Sequence, residues 1–356
     1  MRTDAFDYTL PPELIAQEPV EPRDHSRLMV VDRSSGAISH HHFYDLPALL
    51  QPGDVLVAND SRVIPARLFA RKPTGGRVEI LLLTRRDERT WEVLVRGHRV
   101  RPGLVLRLER APDITGEVLD ITPAGGRVIR FSQPLNGVLP QVGQVPLPPY
   151  IHKPLDNPDR YQTVYARRDG SAAAPTAGLH FTPRLMEALA ERGVTFHFVT
   201  LHVGLDTFRP ITEEHVEAHR IHSEWATLDV STAIALNRAK AEGRRIIAVG
   251  TTSMRVLESA THPEVIQGEV GWPEDTPPDV RRGPLVPFRG WTSLYIMPGF
   301  DFRAVDAMIT NFHLPRSTLL VLVAAFMGKE LMERAYAEAI RERYRFYSFG
   351  DAMFIV

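Results

Sequence analysis

The amino-acid sequence predicts a mixed α/β protein, a larger α/β body interrupted by a smaller all-β domain. Three observations predict it. Strand-like and helix-like segments alternate through the C-terminal half. The run from Arg67 to Pro149 holds only short strands and turns. A proline-rich stretch, VPLPPYIHKPLDNPD (Val145 to Asp159), marks the return to the body. At 356 residues, 44% hydrophobic and 24% charged, the chain is long enough for two ordinary domains and can bury a core. The expected division is 1–66 with 150–356 as the larger domain and 67–149 as the insertion.

The elements follow in order. FDYTLPPELIAQ (Phe6 to Gln17) reads as short and helical, and RDHSRLMVVD as a loop entering a strand. PGDVLVANDSRVIPARL (Pro52 to Leu68) reads as a turn, an apolar strand and a polar break at Asn59-Asp60-Ser61. Five strands are expected in the insertion: RVEILLL, WEVLVR, GLVLRLE, GEVLDI and GRVIRF. Without helical segments between them they suggest a barrel or a sandwich. TPRLMEALAERG is expected to be a helix capped by Thr182, with Pro183 at its first position and Gly193 at its end. VTFHFVTLHVG reads as an alternating strand, STAIALNRAKAEG as a helix capped by Ser231 or Thr232, RRIIAVG as a buried strand and TSMRVLESA as a third helix. His262 to Gly290 is expected to be an extended surface loop. The segment from Arg316 to Tyr344 is one long helix or a helix pair, with Ser317 as cap.

Composition narrows the function classes. No segment reaches the roughly 18 apolar residues of a membrane span, and the acidic, proline-containing start is unlike a signal peptide. A cytoplasmic protein is expected. With no cysteine there is no disulfide, thiolate metal site or cysteine nucleophile. The net charge is −1, yet Arg62 to Arg110 carries thirteen Lys or Arg against five Asp or Glu. Such a basic region is either the footprint of a polyanion or the solvent face of charged strands.

Several constellations could carry chemistry. PTAGLHFT (Pro175 to Thr182) offers Gly178, which allows close backbone approach, and His180, which can move protons near neutral pH. It reads equally as a glycine turn with a half-buried histidine. AVGTTSMR offers Gly250, Thr251, Thr252 and Ser253 at a helix start, with Arg255 nearby, where a carboxylate or phosphate could sit. An ordinary helix cap is the alternative. His215, His219 and His222 would share one face of a helix, a weak metal pattern. His40, His41 and His42 would alternate faces on a strand, which argues against one metal site. Asn311 and His313 lie in a polar loop before the last helical segment, and Asn59, Asp60 and Arg62 where the insertion begins.

Taken together, SRLMVVD, PGDVLVANDSRVIPARL, GGRVEILLL, RYQTVYARRDGSAAAPTAGLHFT, VTLHVG, AHRIHSE, AVGTTSMR, TNFHLPRSTLL and YRFYSFGDAM resemble the successive motifs of the S-adenosylmethionine:tRNA ribosyltransferase-isomerases. The resemblance runs in order from Phe6 to Met353. It implies a larger α/β domain containing a β-barrel, with a smaller all-β domain inserted. It implies transfer and isomerisation of the ribosyl part of S-adenosylmethionine onto 7-aminomethyl-7-deazaguanine at the tRNA wobble position. Epoxyqueuosine forms, and adenine and methionine leave. S-adenosylmethionine is then a co-substrate, no metal is expected, tRNA is the partner, and the protein is expected to be a monomer. Such chemistry needs a general base beside a sulfonium and a site for developing charge. His180, His202, His219, His222 and His313 are the eligible bases. Thr176, Gly178, His180 and Phe181 are implied to line the reaction site, and the turn from Gly250 to Ser253 to hold an anionic group. One departure is Asp206 in VGLDTF, where the family usually has glycine. A metal-dependent hydrolase using the three histidines and a non-enzymatic RNA-binding protein are the alternatives.

Overall fold

The computed structural model describes residues 1–122, 125–204 and 210–356; Asp206 lies outside them. Two compact units divide the chain: Met1–Arg62 with Pro148–Arg168 and Ala174–Val356, and Val63–Leu147 with Asp169–Ala173.

In the larger unit ten strands form one sheet, in the order Ile266–Val270, Phe288–Thr292, Glu224–Leu228, Thr195–Leu201, Val55–Asn59, Ile246–Val249, Ala307–Asn311, Ala352–Ile355, Arg27–Val31 and Ile38–His42. The four central strands, Thr195–Leu201 to Ala307–Asn311, are mutually parallel. Antiparallel neighbours flank them. The central strands are apolar almost throughout, as Val55–Asn59 and Ile246–Val249 show by being buried at every position. That is the signature of strands covered on both faces. Leu56, Ala58, Ile247, Val249, Ala307 and Ile309 point to one face, where they pack with Phe43, Phe181, Leu185 and Leu189. Each of the Leu, Ile, Val and Phe side chains among them contributes about 1.5–3 kcal/mol by leaving water.

The strand that leads to Asn311 is held from behind by a buried carboxylate. Glu258 accepts the backbone N–H groups of Arg303, Ala304 and Val305 at 3.0, 3.1 and 3.0 Å. Burial raises its pKa, and these three bonds oppose the rise.

In the smaller unit Arg67–Arg71, Arg77–Arg85, Thr90–Arg96, Val105–Leu108, Thr115–Ile121 and Arg127–Phe131 close into a barrel. The resemblance placed a barrel in the larger domain; the closed barrel seen here is built from the inserted strands. Its interior is filled by Leu68, Ile80, Leu82, Val93, Val118 and Ile129. Part of the basic excess is internally matched, Arg67 to Glu79 at 3.1 Å and Arg71 and Arg77 to Glu109 at 3.1 and 3.2 Å.

Several local expectations hold. Thr182 Oγ1 accepts Leu185 N–H and Ser317 Oγ accepts Leu320 N–H, capping helices Pro183–Glu191 and Thr318–Met327. The last segment is a helix pair, broken at Gly328. Others need correction. A sixth barrel strand, Arg67–Arg71, joins the five expected. The helix Val230–Ala241 starts after Asp229 rather than at Ser231 or Thr232. Within the supposed surface loop, Ile266–Val270 pairs with Phe288–Thr292, and Leu285 is fully buried.

Candidate active site

The parallel strands end on one side, and open sheets of this kind hold ligands beyond those carboxyl ends. A cavity with about 620 Å³ of empty space, open mouth included, lies there. Val203 follows one strand end; Gly250, Thr251 and Thr252 follow another; Asn311, Phe312 and His313 come from a third. Pro175, Thr176 and Ala177 form one wall, and Tyr150, Tyr347 and Ser348 another.

Gly250 begins the helix Gly250–Ser259 with φ +86°, a conformation that favours glycine. A Cβ there would also press on Ala177 at 3.3 Å. Asn59 is fully buried and lies behind the helix start. Its Oδ1 accepts the N–H groups of Ser61 and Leu201, and its Nδ2 donates to Leu201 O and, at 3.3 Å, to Thr252 Oγ1. It therefore fixes a cavity threonine without lining the cavity itself. Asp60, also buried, accepts from Thr200 Oγ1 at 2.7 Å and pairs with Arg167 at 2.5 Å. Arg62 is exposed. None of these three lines the cavity.

Asn311 and His180 form one unit. Asn311 Nδ2 donates to Tyr347 O at 3.1 Å, which settles which side of the amide carries nitrogen, because a carbonyl only accepts. The same nitrogen lies 3.3 Å from His180 Nε2, so that ring nitrogen is an acceptor. His180 Nδ1 then bears the proton and donates to Ser26 Oγ at 2.8 Å. The imidazole stacks on Phe43 at 4.9 Å and is 5% exposed. Burial, with smaller contributions from Arg345 and Arg23, pushes its pKa down to about 3. His180 is a neutral, fully engaged group. Asn311 Oδ1 is left buried with no hydrogen-bond partner among the described residues. Tyr347, whose carbonyl holds the amide, has φ +69°. A non-glycine residue in that region marks strain held in place by its surroundings.

The neutral histidine has a measurable consequence. Its folded pKa lies below the ordinary value of 6.5, so the unfolded chain takes up the proton first as pH falls. The stability contributed is complete above pH 6.5 and lost below it. Between pH 6.5 and about pH 5 the loss is about 2 kcal/mol. Urea unfolding across that window is expected to show the drop in the native protein and a shallower one in His180→Gln. A flat native profile would contradict the assignment.

The remaining expected site residues separate. Gly178 and Phe181 do not line the cavity; Phe181 is in the core, edge-on to Phe43 at 5.0 Å. Ser253 Oγ turns back to Val249 O at 2.8 Å. His202 is partly exposed, its backbone N–H bonded to Trp225 O, and it lines neither described cavity. His313 does line the first: its Nε2 is 2.8 Å from Thr310 Oγ1, and burial pushes its pKa down to about 3. His219 and His222 line a second cavity, with about 450 Å³ of empty space, open mouth included, together with Arg255, Glu224, Tyr295 and Ile296. Arg255 therefore does not join the turn from Gly250 to Ser253. His215, His219 and His222 share no helix, since only Val216–Ala218 makes a 3-10 turn there. Among the described residues, no group of three or more His, Asp or Glu could hold a metal ion. Tyr150, Ala177, Tyr347 and Ser348 were not singled out from the sequence, although YRFYSFGDAM and PTAGLHFT contain three of them.

Comparison with known proteins agrees with a single family along the whole chain. A family model described as queuosine biosynthesis protein matches residues 3–355. The S-adenosylmethionine:tRNA ribosyltransferase-isomerases of Moorella thermoacetica and Symbiobacterium thermophilum are 51% and 52% identical to it, with 100% of each chain covered. The solved structure of S-adenosylmethionine tRNA ribosyltransferase from Thermotoga maritima is 40% identical, with a TM-score of 0.55, covering 99% of this chain and 100% of that one. This chain belongs to the queuosine biosynthesis protein family.

Proposed function

We propose that the protein transfers and isomerises the ribosyl part of S-adenosylmethionine onto 7-aminomethyl-7-deazaguanine at the wobble position of tRNA, releasing adenine and methionine. The observation that carries this reading is the end-to-end likeness to enzymes of that name, at about half identity with both chains fully covered. The cavity at the strand ends supports it. The nucleophile belongs to the tRNA base, so the chain has to supply a base, charge stabilisation and orientation. In this reading His313, the one of the five candidate histidines that lines the cavity, removes the proton beside the sulfonium. Burial keeps its ring unprotonated at neutral pH, though it also weakens it as a base, so the abstraction leans on the acidity of a proton beside a sulfonium. Asn311 Oδ1 faces the positive charge of the sulfonium, and Thr176, Thr251 and Thr252 position the substrate. The reaction is written without a metal. Among the described residues no helix is long and apolar enough to cross a membrane, and a tRNA substrate puts the work in the cytoplasm.

Incubation with S-adenosylmethionine and tRNA carrying the deazaguanine precursor is expected to release adenine and methionine in step with a mass increase on the tRNA. Binding of tRNA without that release would instead mark a non-enzymatic RNA-binding protein.

A further inference from the structure

The second cavity holds features the reading above does not use. Arg255 and Glu224 form an ion pair inside it, with both side chains 6% exposed. Arg255 Nε donates to Leu294 O at 3.1 Å and Nη1 to Glu224, whereas Nη2 is buried with no hydrogen-bond partner among the described residues. The Tyr295 hydroxyl on the same cavity is likewise buried and unpartnered. Native interiors rarely leave such donors unsatisfied, and a guanidinium N–H is among the costliest to strand. Both residues line the cavity, and two stranded donors behind its wall call for a ligand oxyanion. Burial raises the Tyr295 pKa, so the phenol keeps its proton to give. The ring is held edge-on by His219 at 5.8 Å, and His219 Nδ1 is 3.0 Å from Glu213.

The surrounding charge narrows the ligand. Arg255 is already matched by Glu224, so a bare anion meets no net positive field. A zwitterion does better, with its carboxylate on Arg255 Nη2 and the Tyr295 hydroxyl and its ammonium on Glu224. Glu224 Oε1 accepts Gly204 N–H at 2.9 Å, and a carboxylate has lone pairs for further donors. Position narrows it again. Thr251 on the first cavity and Arg255 on the second are one turn apart on the same face of helix Gly250–Ser259, about 6 Å along its axis. Leu319 lines both cavities. A ligand running along this helix face would have about that distance to span.

We propose that the Arg255–Glu224–Tyr295 cavity is the subsite for the α-amino-acid end of S-adenosylmethionine, whose adenosyl end occupies the first cavity. The subsite rests on the reading that the chain uses this co-substrate. Tyr295→Phe removes only a hydroxyl with no hydrogen-bond partner among the described residues, so the fold is expected to persist, as thermal unfolding will check. Arg255→Lys keeps the charge beside Glu224 but loses the second N–H. Calorimetric titration of the full chain compares S-adenosylmethionine, its decarboxylated analogue and inorganic phosphate. Each variant is expected to bind S-adenosylmethionine about 10-fold more weakly, the effect of one hydrogen bond to a charged group. Neither variant is expected to change affinity for the decarboxylated analogue, which the native protein already binds weakly. Inorganic phosphate is expected not to compete. Equal weakening for both ligands, native affinity in both variants, or competition by phosphate would overturn the subsite. If the native protein turns over S-adenosylmethionine yet shows one of these results, only the subsite fails. If it neither binds nor turns over S-adenosylmethionine, the proposed function fails with it.

Discussion

Gly178→Ala is expected to destabilise the protein by about 3 kcal/mol, the upper end for overpacking a filled interior. A Cβ at Gly178 would stand 2.1 Å from Tyr165 Oη, 2.9 Å from Thr163 Cγ2 and 3.0 Å from Tyr165 Cζ. The first distance is far inside contact, and the packing of the tyrosine ring opposes its shift. The ring is partly buried against the core, tilted against Phe198 at 5.3 Å and edge-on to Phe181 at 6.4 Å. The Tyr165 hydroxyl has no hydrogen-bond partner among the described residues, so Tyr165→Phe alone is expected to be nearly neutral. In the double variant the worst clash is gone while the two lesser ones remain. About half of the lost stability is expected to return, a coupling of about 1.5 kcal/mol. Urea unfolding of the four proteins measures it. Were Gly178 needed for a ligand's approach, Gly178→Ala would fold normally and lose only activity, and Tyr165→Phe would restore nothing.

This glycine shows how far sequence reasoning reaches. A glycine inside PTAGLHFT announces that something comes close, but not what. The close neighbour is a tyrosine hydroxyl from another segment, and only the fold brings it there. Features set by neighbouring residues were legible. Thr182 and Ser317 cap helices because a hydroxyl and an N–H three residues later meet through local geometry alone. The α/β body and the β insertion were legible from periodicity. The strand Arg67–Arg71 was missed because it continues the preceding polar segment without a turn to delimit it. For the candidate site, some of the residues singled out meet and others do not. Thr176, Thr251, Thr252, Asn311 and His313 do gather on one cavity. His180 looked like a proton carrier from its type, yet its partners Ser26 and Asn311 are 154 and 131 residues away, and together with burial they make it a neutral anchor. The three histidines from His215 would share a face only if their segment were one helix, and only the 3-10 turn Val216–Ala218 forms there. Tyr295 carried no sequence signal, because an unpartnered hydroxyl is a property of the packed state.

The amide that this anchor serves is a residue whose removal is expected to cost much of the activity. Asn311→Ala is expected to lower kcat/KM by about 100-fold, the loss typical of removing one preorganised polar group facing a reacting charge. The argument rests on orientation. Both N–H directions of Asn311 are committed, to Tyr347 O and His180 Nε2, so Oδ1 has one place to point and meets no donor among the described residues. An acceptor held this way needs no reorganisation when positive charge or an N–H of the reactants comes before it. Stability is expected to fall by only about 1–2 kcal/mol, because Tyr347 O keeps its bond from Gly350 N–H and water from the cavity can reach the gap. His180→Phe separates the anchor from the group it holds. The ring still stacks on Phe43, but one of the two acceptors that aim the amide is gone. A fall in kcat of about 10-fold, with KM for S-adenosylmethionine unchanged, is expected if His180 acts through Asn311. A purely structural histidine would lower the unfolding temperature and leave kcat alone. A proton-transferring one would abolish turnover and shift its pH profile. Native kcat/KM in a well-folded Asn311→Ala protein would remove the amide from the mechanism altogether.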